Sequence, residues 1–143
     1  MKRIGCIIAA LTLLLMLSAC RAGGESSPTL RIGVALYQQE DTFIDTVARE
    51  LQRVALEEEQ ARNVKINLYI TDGKESQTTQ NEQIDTAIAQ GTNLLIVNIV
   101  TSGSVDASQA IVDKASAAGI PVIFFNRAVE SDEDEGKVLG SYD

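Results

Sequence analysis

The strongest constraint on the fold is a regular alternation of short apolar runs and longer amphipathic stretches along the chain. Buried strands are indicated by four runs rich in apolar residues, at 31–37, 64–71, 94–100 and 121–126. Amphipathic helices are indicated between them at 42–60, 75–90 and 104–118, with Gly119 placed to cap the last one. Short connections between alternating strands and helices predict an α/β fold, in which a parallel sheet is covered by helices on both faces.

The first part of the chain differs in character and predicts export. A short basic start precedes the apolar stretch 4–17, and Leu17-Ser18-Ala19-Cys20 follows directly. This order is typical of a bacterial lipoprotein signal, here residues 1–19, after which Cys20 is lipidated and becomes the mature N-terminus. An uncleaved membrane anchor is the alternative, although a spanning helix needs ~20 apolar residues. Residues 20–29 then form a lipidated, flexible tether, and the protein is expected outside the cytoplasm, lipid-anchored or periplasmic.

Charge and composition exclude several classes of function. The chain carries 12 basic and 20 acidic residues, a net charge of −8, so it offers no basic patch for a nucleic acid. It contains no histidine, and its two cysteines are Cys6 in the leader and Cys20 at the lipidation position. Pairs of nucleophile and base, and the common transition-metal sites, are therefore not expected. The composition favours a binding protein over an enzyme and predicts no metal site in this chain.

Polar and aromatic residues follow the predicted strands, where ligands of parallel sheets bind. Tyr37, Asp41 and Phe43 follow the first run without any glycine, which disfavours a phosphate loop. Asn126 and Arg127 follow the fourth run. Together these groups suit a neutral polyol: Asp41 accepts from hydroxyls, Asn126 accepts and donates, and Phe43 covers the apolar face of a sugar ring. The ends of the second and third runs add Asp72, Asn98, Thr101 and Ser102.

Three of these residues have a purely structural alternative. Asp41 precedes Thr42 and is also suited to cap the first helix. The alternative for Phe43 is that it is only the first core residue of that helix. Asn98 is flanked by apolar residues, which favours a buried structural amide over a ligand contact.

Three stretches of the chain resemble the first lobe of the periplasmic galactose/glucose-binding proteins. They are RIGVALYQQEDTFIDTV, QNEQIDTAIAQGTNLLIVNIV and GIPVIFFNRAVE. The resemblance implies a fold of the periplasmic-binding-protein-like I type. It also implies a solute-binding lipoprotein of an ABC importer, which holds galactose, glucose or methyl-galactoside between two lobes. Its expected partners are a neutral hexose, the membrane permease of the importer and, as a further candidate, a chemoreceptor.

The resemblance also implies roles for individual residues. In that family the aspartate of the first stretch hydrogen-bonds the sugar, the aromatic residue stacks on the ring, and the asparagine of the third contacts hydroxyls. These roles fall on Asp41, Phe43 and Asn126, with Tyr37 and Arg127 as further candidates.

The end of the chain departs from the family pattern. Residues 30–143 are expected to form an N-terminal sugar-binding lobe that is incomplete. Ser141-Tyr142-Asp143 is expected in the loop before a fifth strand; the alternative is that KVLGSYD is itself that strand, although Gly140 interrupts its short apolar run. The second lobe, its sugar ligands and the calcium loop of galactose-binding members are expected beyond this chain, so the chain itself has no cofactor.

Two alternatives come from other classes of protein. One is the effector-binding domain of a lac-repressor-type regulator, which would need an N-terminal helix-turn-helix where this chain has an export signal. The other is an enzyme or phospho-acceptor on a flavodoxin-like sheet. It is disfavoured because Asn98 and Arg127 stand where a receiver domain needs an aspartate and a lysine.

Overall fold

The computed structural model describes residues 28–129. The predicted signal, the predicted lipidation position Cys20, the tether up to residue 27 and the segment after Val129 lie outside the described residues. Within them, strands and helices alternate as predicted. The strands are β1 (Thr29–Leu36), β2 (Lys65–Asp72), β3 (Leu94–Val97) and β4 (Val122–Phe124). The helices are α1 (Thr42–Arg62), α2 (Gln77–Ala89) and α3 (Val105–Ala118).

The four strands form one parallel sheet in the order β2-β1-β3-β4. β1 pairs with β2 along its whole length, so that Leu36 lies opposite Asp72 at the carboxyl end. On its other side β1 pairs with β3, where Ala35 lies opposite Val97. From β1 the chain thus adds β2 on one side of the sheet and then β3 and β4 on the other, so the strand order reverses between β1 and β3. A crevice for ligands forms outside the carboxyl ends of a parallel sheet at such a reversal.

Helices cover both faces of the sheet, as the sequence predicts. Side chains alternate along β1, so successive residues pack into different cores. One core joins the sheet to α1, and its buried residues are Ile32, Val34, Leu36, Ile44 and Ala48. The other joins the sheet to α2 and α3, and includes Ala35, Ile84, Ala87, Leu95, Val97, Ile111, Ala115 and Phe124. The predicted parallel α/β architecture is confirmed.

Side chains fix where the helices begin and end. Ser76 and Ser104 cap α2 and α3 by accepting hydrogen bonds from the backbone N–H groups of Thr79 and Ala107. Gly119 ends α3 in the left-handed conformation, with φ at 69°, which confirms its predicted role as a C-terminal cap. Among residues 28–129, no helix combines the length and the apolar character that crossing a bilayer requires.

Two details differ from the sequence pattern. β3 ends at Val97, whereas the apolar run predicts a strand to residue 100. In α1 the apolar spacing includes Phe43 and Val54, yet these side chains are 58% and 43% exposed. The helix is anchored by the fully buried Ile44 and by Ala48, so the contact with the sheet is narrower than the pattern suggests.

Candidate functional site

The five residues predicted for a ligand site lie at the carboxyl ends of the strands, on a surface called here the rim. Tyr37, Asp41 and Phe43 follow β1, and Asn126 and Arg127 follow β4. The hydroxyl of Tyr37 donates to Oδ2 of Asp41 over 2.5 Å. The guanidinium carbon of Arg127 lies 3.7 Å from the centre of the Tyr37 ring. The fold thus brings Tyr37, Asp41 and Arg127 into one connected group.

Asp41 both caps α1 and takes part in this group. Its Oδ1 accepts from the backbone N–H groups of Phe43, at 2.8 Å, and Ile44, at 3.1 Å, so the structural alternative from the sequence is confirmed. Its Oδ2 accepts from Tyr37, and each carboxylate oxygen has two lone pairs, so Oδ2 keeps capacity for another donor. Capping and ligand binding are compatible at this residue.

Hydrogen bonds keep Asp41 ionised and Tyr37 neutral. The bond from Tyr37, followed by that from the Ile44 backbone, lowers the pKa of Asp41 below its ordinary 3.8. The same bond to Asp41 raises the pKa of Tyr37 above its ordinary 10.0. At neutral pH the rim therefore presents a carboxylate that accepts hydrogen bonds.

Phe43 and Asn126 are the two rim residues that face solvent. The Phe43 ring is 58% exposed, so the structural alternative, in which it is a core residue, is wrong. Asn126 is exposed and adopts a positive φ of 65°, a conformation that asparagine tolerates better than most residues. Its side chain makes no hydrogen bond within residues 28–129. The rim thus offers an open aromatic face and an amide with unused donors and acceptors.

Arg127 is held against the end of β3. Its Nη1 donates to the backbone carbonyls of Val100, at 2.6 Å, and Ile99, at 3.4 Å. These bonds and the stacking on Tyr37 link the strand ends on both sides of the crevice. Asp72 acts in a comparable way at the β2 end, because its Oδ1 accepts from the backbone N–H groups of Gln39 and Lys74.

Residues 98–101, called here the β3–α3 segment, are held by side chains where strand pairing stops. Gln80 is fully buried, and its Nε2 donates to the Asn98 carbonyl at 2.9 Å. Its Oε1 accepts from the Val100 N–H at 3.0 Å, and Oε1 of Gln77 accepts from the Thr101 N–H at 2.9 Å. These bonds explain why β3 ends early. The predicted structural role of Asn98 is confirmed, because it is fully buried and its Nδ2 donates to the Phe125 carbonyl.

Sequence reasoning missed Gln77 and Gln80. A usable signal was present, because Gln80 lies on the same helical stripe as Ile84 and Ala87, the buried apolar residues of α2. A polar side chain on such a stripe needs a hydrogen-bond partner in the core.

In the described part of the chain the rim combines the exposed Phe43 and Asn126 with the partly buried Tyr37, Asp41 and Arg127. A groove of about 500 Å³, lined in part by Leu30, Arg62 and Ile66, lies at the opposite end of the sheet, where β1 and β2 begin. Residues 28–129 contain no cluster of three or more histidine, cysteine or acidic side chains arranged to hold a metal ion. The chemistry that the rim supports is hydrogen bonding and ring stacking.

Comparison with known proteins places the chain in a family. Residues 32–139 match the model of the periplasmic binding protein domain. The chain belongs to the periplasmic binding protein family. This membership implies a location outside the cytoplasm, and it agrees with the parallel α/β architecture described above.

Relatives with known ligands share the family. The chain is 32% identical to the D-galactose/methyl-galactoside binding periplasmic protein MglB of Haemophilus influenzae over 114 residues, which are 79% of this chain and 30% of the relative. It is 33% identical to the xylitol-binding protein of Mycolicibacterium smegmatis over 139 residues, 96% of this chain and 37% of the relative. The resemblance to periplasmic sugar-binding proteins is confirmed, and it corresponds to their N-terminal portion.

Solved structures give the same fold. An ABC transporter solute-binding protein from Mycobacterium smegmatis with bound glycerol matches with a TM-score of 0.57 and 30% identity, over 72% of this chain and 33% of that one. The arabinose-binding component of an ABC transporter from Shewanella matches with a TM-score of 0.62 at 22% identity, over 78% and 33%, and supports the fold alone. The chain spans about a third of the length of these relatives.

Proposed function

We propose that the rim is one wall of a site for a neutral sugar or polyol, in a binding protein that serves the membrane permease of an ABC importer. The observation that carries this proposal is the combination of an ionised Asp41, the exposed ring of Phe43 and the exposed amide of Asn126 at the strand-order reversal. Carboxylates and amides bind hydroxyl groups, and a ring face covers the C–H surface of a sugar.

The charge of the rim favours a neutral ligand. Asp41 would repel an anionic sugar, and Arg127 is already stacked on Tyr37 and bonded to backbone carbonyls. The relatives named above bind D-galactose or methyl-galactoside and xylitol, and one structure holds glycerol. A hexose such as galactose, glucose or methyl-galactoside is the specific ligand proposed for this chain.

The complete binding protein would need a second wall, a membrane attachment and partner proteins in addition to the rim. A second wall would come from a region that corresponds to the remaining length of the relatives, and any bound calcium would lie there. The lipid on Cys20 would attach the protein to the membrane, and a chemoreceptor is a further proposed partner. The Haemophilus and Mycolicibacterium relatives are named as binding proteins, which favours this function over that of an enzyme or a transcription regulator.

Substitutions at Asp41 test the proposal. Asp41→Asn keeps an oxygen for the helix cap but removes the charge, and Asp41→Ala removes both. In a two-lobed form, with this chain joined to the remaining part of the Haemophilus relative, calorimetry should show a roughly ten- to hundredfold loss of hexose affinity in each variant. Asp113→Asn, on α3 and away from the rim, is the matched control and should bind normally.

Two results would overturn the sugar assignment. One is unchanged galactose and glucose affinity in Asp41→Ala. The other is binding of glucuronate as tight as binding of glucose, since a carboxylate ligand would have to approach Asp41. If the joined protein does not fold, hexose binding by the wild type and by the Asp41 variants can be compared in the predicted mature chain, residues 20–143. NMR titration with hexose at roughly 0.1 M, about a hundred times a millimolar Kd, measures it.

A further inference from the structure

Arg127 connects the carboxyl ends of three strands. Its guanidinium stacks on Tyr37 after β1, with its carbon 3.7 Å from the ring centre. Its Nη1 donates to Val100 and Ile99 after β3, and its backbone N–H donates to the carbonyl of Phe125 after β4. A planar guanidinium is suited to this combination, because it stacks on a ring and donates in its own plane at the same time.

The ring covered by Arg127 carries the hydroxyl that holds Asp41. This hydroxyl donates to Oδ2 over 2.5 Å, while Oδ1 of the same carboxylate is fixed by the first N–H groups of α1. Contact with a cation on one face restricts the positions open to the Tyr37 ring. The three side chains therefore act in series, from Arg127 through Tyr37 to Asp41.

We propose that Arg127 is a positioning residue, which orients Asp41 through Tyr37 and does not itself contact the ligand. The sequence made Arg127 a candidate sugar contact, and its bonds to the β3–α3 segment support this different role. The inference rests on the proposed function only for the identity of the ligand. The contact between the three side chains can be tested in the protein without ligand.

The first test uses the sign of a change in the pKa of Tyr37. Asp41 and Arg127 shift the pKa of the Tyr37 hydroxyl in opposite directions. The hydrogen bond to Asp41 raises this pKa, and the positive charge of Arg127 lowers it. Losing only the charge in Arg127→Met would therefore raise the pKa further. Losing the position of the ring, and with it the bond to Asp41, would lower the pKa toward 10.0. The proposal expects the lower value.

The matched variant is Arg127→Lys, which keeps the charge but lacks the planar contact. It should also lower the pKa of Tyr37, because the position of the ring is lost. NMR of labelled tyrosine in the full chain resolves the three tyrosines, and Tyr69 on β2 serves as the internal reference. An unchanged or raised pKa of Tyr37 in both variants would overturn the positioning role, whatever the ligand.

The second test is a double-mutant cycle on hexose affinity. Arg127→Met should weaken binding roughly fivefold, and this effect should shrink to less than about twofold in a Tyr37→Phe background, where the link to Asp41 is already cut. Equal effects of Arg127→Met in both backgrounds would show direct contact with the sugar and refute the proposal. Absence of any Asp41-dependent sugar binding would instead refute the proposed function, and the pKa test would still decide the positioning role.

Discussion

Replacing the buried Gln80 with leucine is expected to lower the free energy of unfolding by about 2–4 kcal/mol. Gln80 is fully buried, and it is the hydrogen-bond partner of the Asn98 carbonyl and of the Val100 N–H. Its third backbone partner, the Ala35 carbonyl, keeps a bond from the Asn98 N–H at 2.9 Å. Leucine would thus leave two backbone groups unpaired.

The magnitude follows from those two groups. An unpaired buried polar group costs about 1–3 kcal/mol. Asn98 is fully buried and Val100 is partly buried. Each of the two unpaired groups is therefore expected to cost about 2 kcal/mol, the middle of that range. Added apolar burial of leucine offsets up to about 1 kcal/mol. Because whole-domain stability is typically 5–15 kcal/mol, the expected loss is a large share of it.

Urea unfolding followed by far-ultraviolet circular dichroism measures this loss. The midpoint of Gln80→Leu should fall by roughly 1–2 M, with an unchanged slope. Gln77→Leu is the matched control: it makes the same chemical change on the same helix, but its lost partner, the Thr101 N–H, is on an exposed residue that water can reach. We expect a cost below about 1 kcal/mol for the control. Equal losses in both variants, or a loss under about 1 kcal/mol for Gln80→Leu, would refute this reasoning.

Four further outcomes are expected. Cys20→Ala should abolish incorporation of labelled palmitate, and equal labelling of both proteins would contradict lipidation there. Asp41→Asn should be less stable than the wild type at neutral pH, and this difference should disappear in acid. The lowered pKa of Asp41 stabilises the folded wild type above pH 3.8, and this stability is lost as the pH falls through the folded pKa. Thermal unfolding of both proteins from about pH 2 to 6 measures the difference. The predicted mature chain, residues 20–143, should bind hexose with a Kd of ~1 mM or weaker in NMR titrations, because tight sites bury about 70–90% of the ligand, and micromolar binding would contradict a site with a single wall. Gly73→Ala should cost about 1–3 kcal/mol in urea unfolding, because its Cβ would lie 2.7 Å from the Leu36 carbonyl oxygen, and a neutral effect would refute the clash.

The order of strands and helices could be predicted because each depends on local periodicity. Runs such as LLIVNIV and the spacing of Ile84 and Ala87 carry that information within a few residues. The end of β3 could not be predicted in this way, because Ile99 and Val100 continue the apolar run beyond Asn98. Their backbone groups bond to Gln80, which lies on a preceding helix, and no local pattern encodes that contact.

In the candidate site, too, local features could be predicted from the sequence and contacts between distant residues could not. That Tyr37, Asp41 and Asn126 stand at strand ends follows from the pattern, because parallel strands share one carboxyl edge. That Arg127 stacks on Tyr37 depends on the order of strands in the sheet, which brings distant parts of the chain together. Whether Phe43 faces the core or solvent depends on the rotation of α1, and Ile44 and Ala48 decide it.

The glutamines of α2 have a consequence for protein engineering. Gln77 and Gln80 shape the β3–α3 segment from a helix that contributes no predicted ligand contact. Grafting only Tyr37, Asp41, Phe43, Asn126 and Arg127 onto another scaffold would transfer the side chains without the backbone path that supports Arg127. A successful graft would have to carry this pair of glutamines as well. A designer who replaced Gln80 by a leucine, to complete the apolar stripe of the helix, would remove part of the recipient's binding geometry.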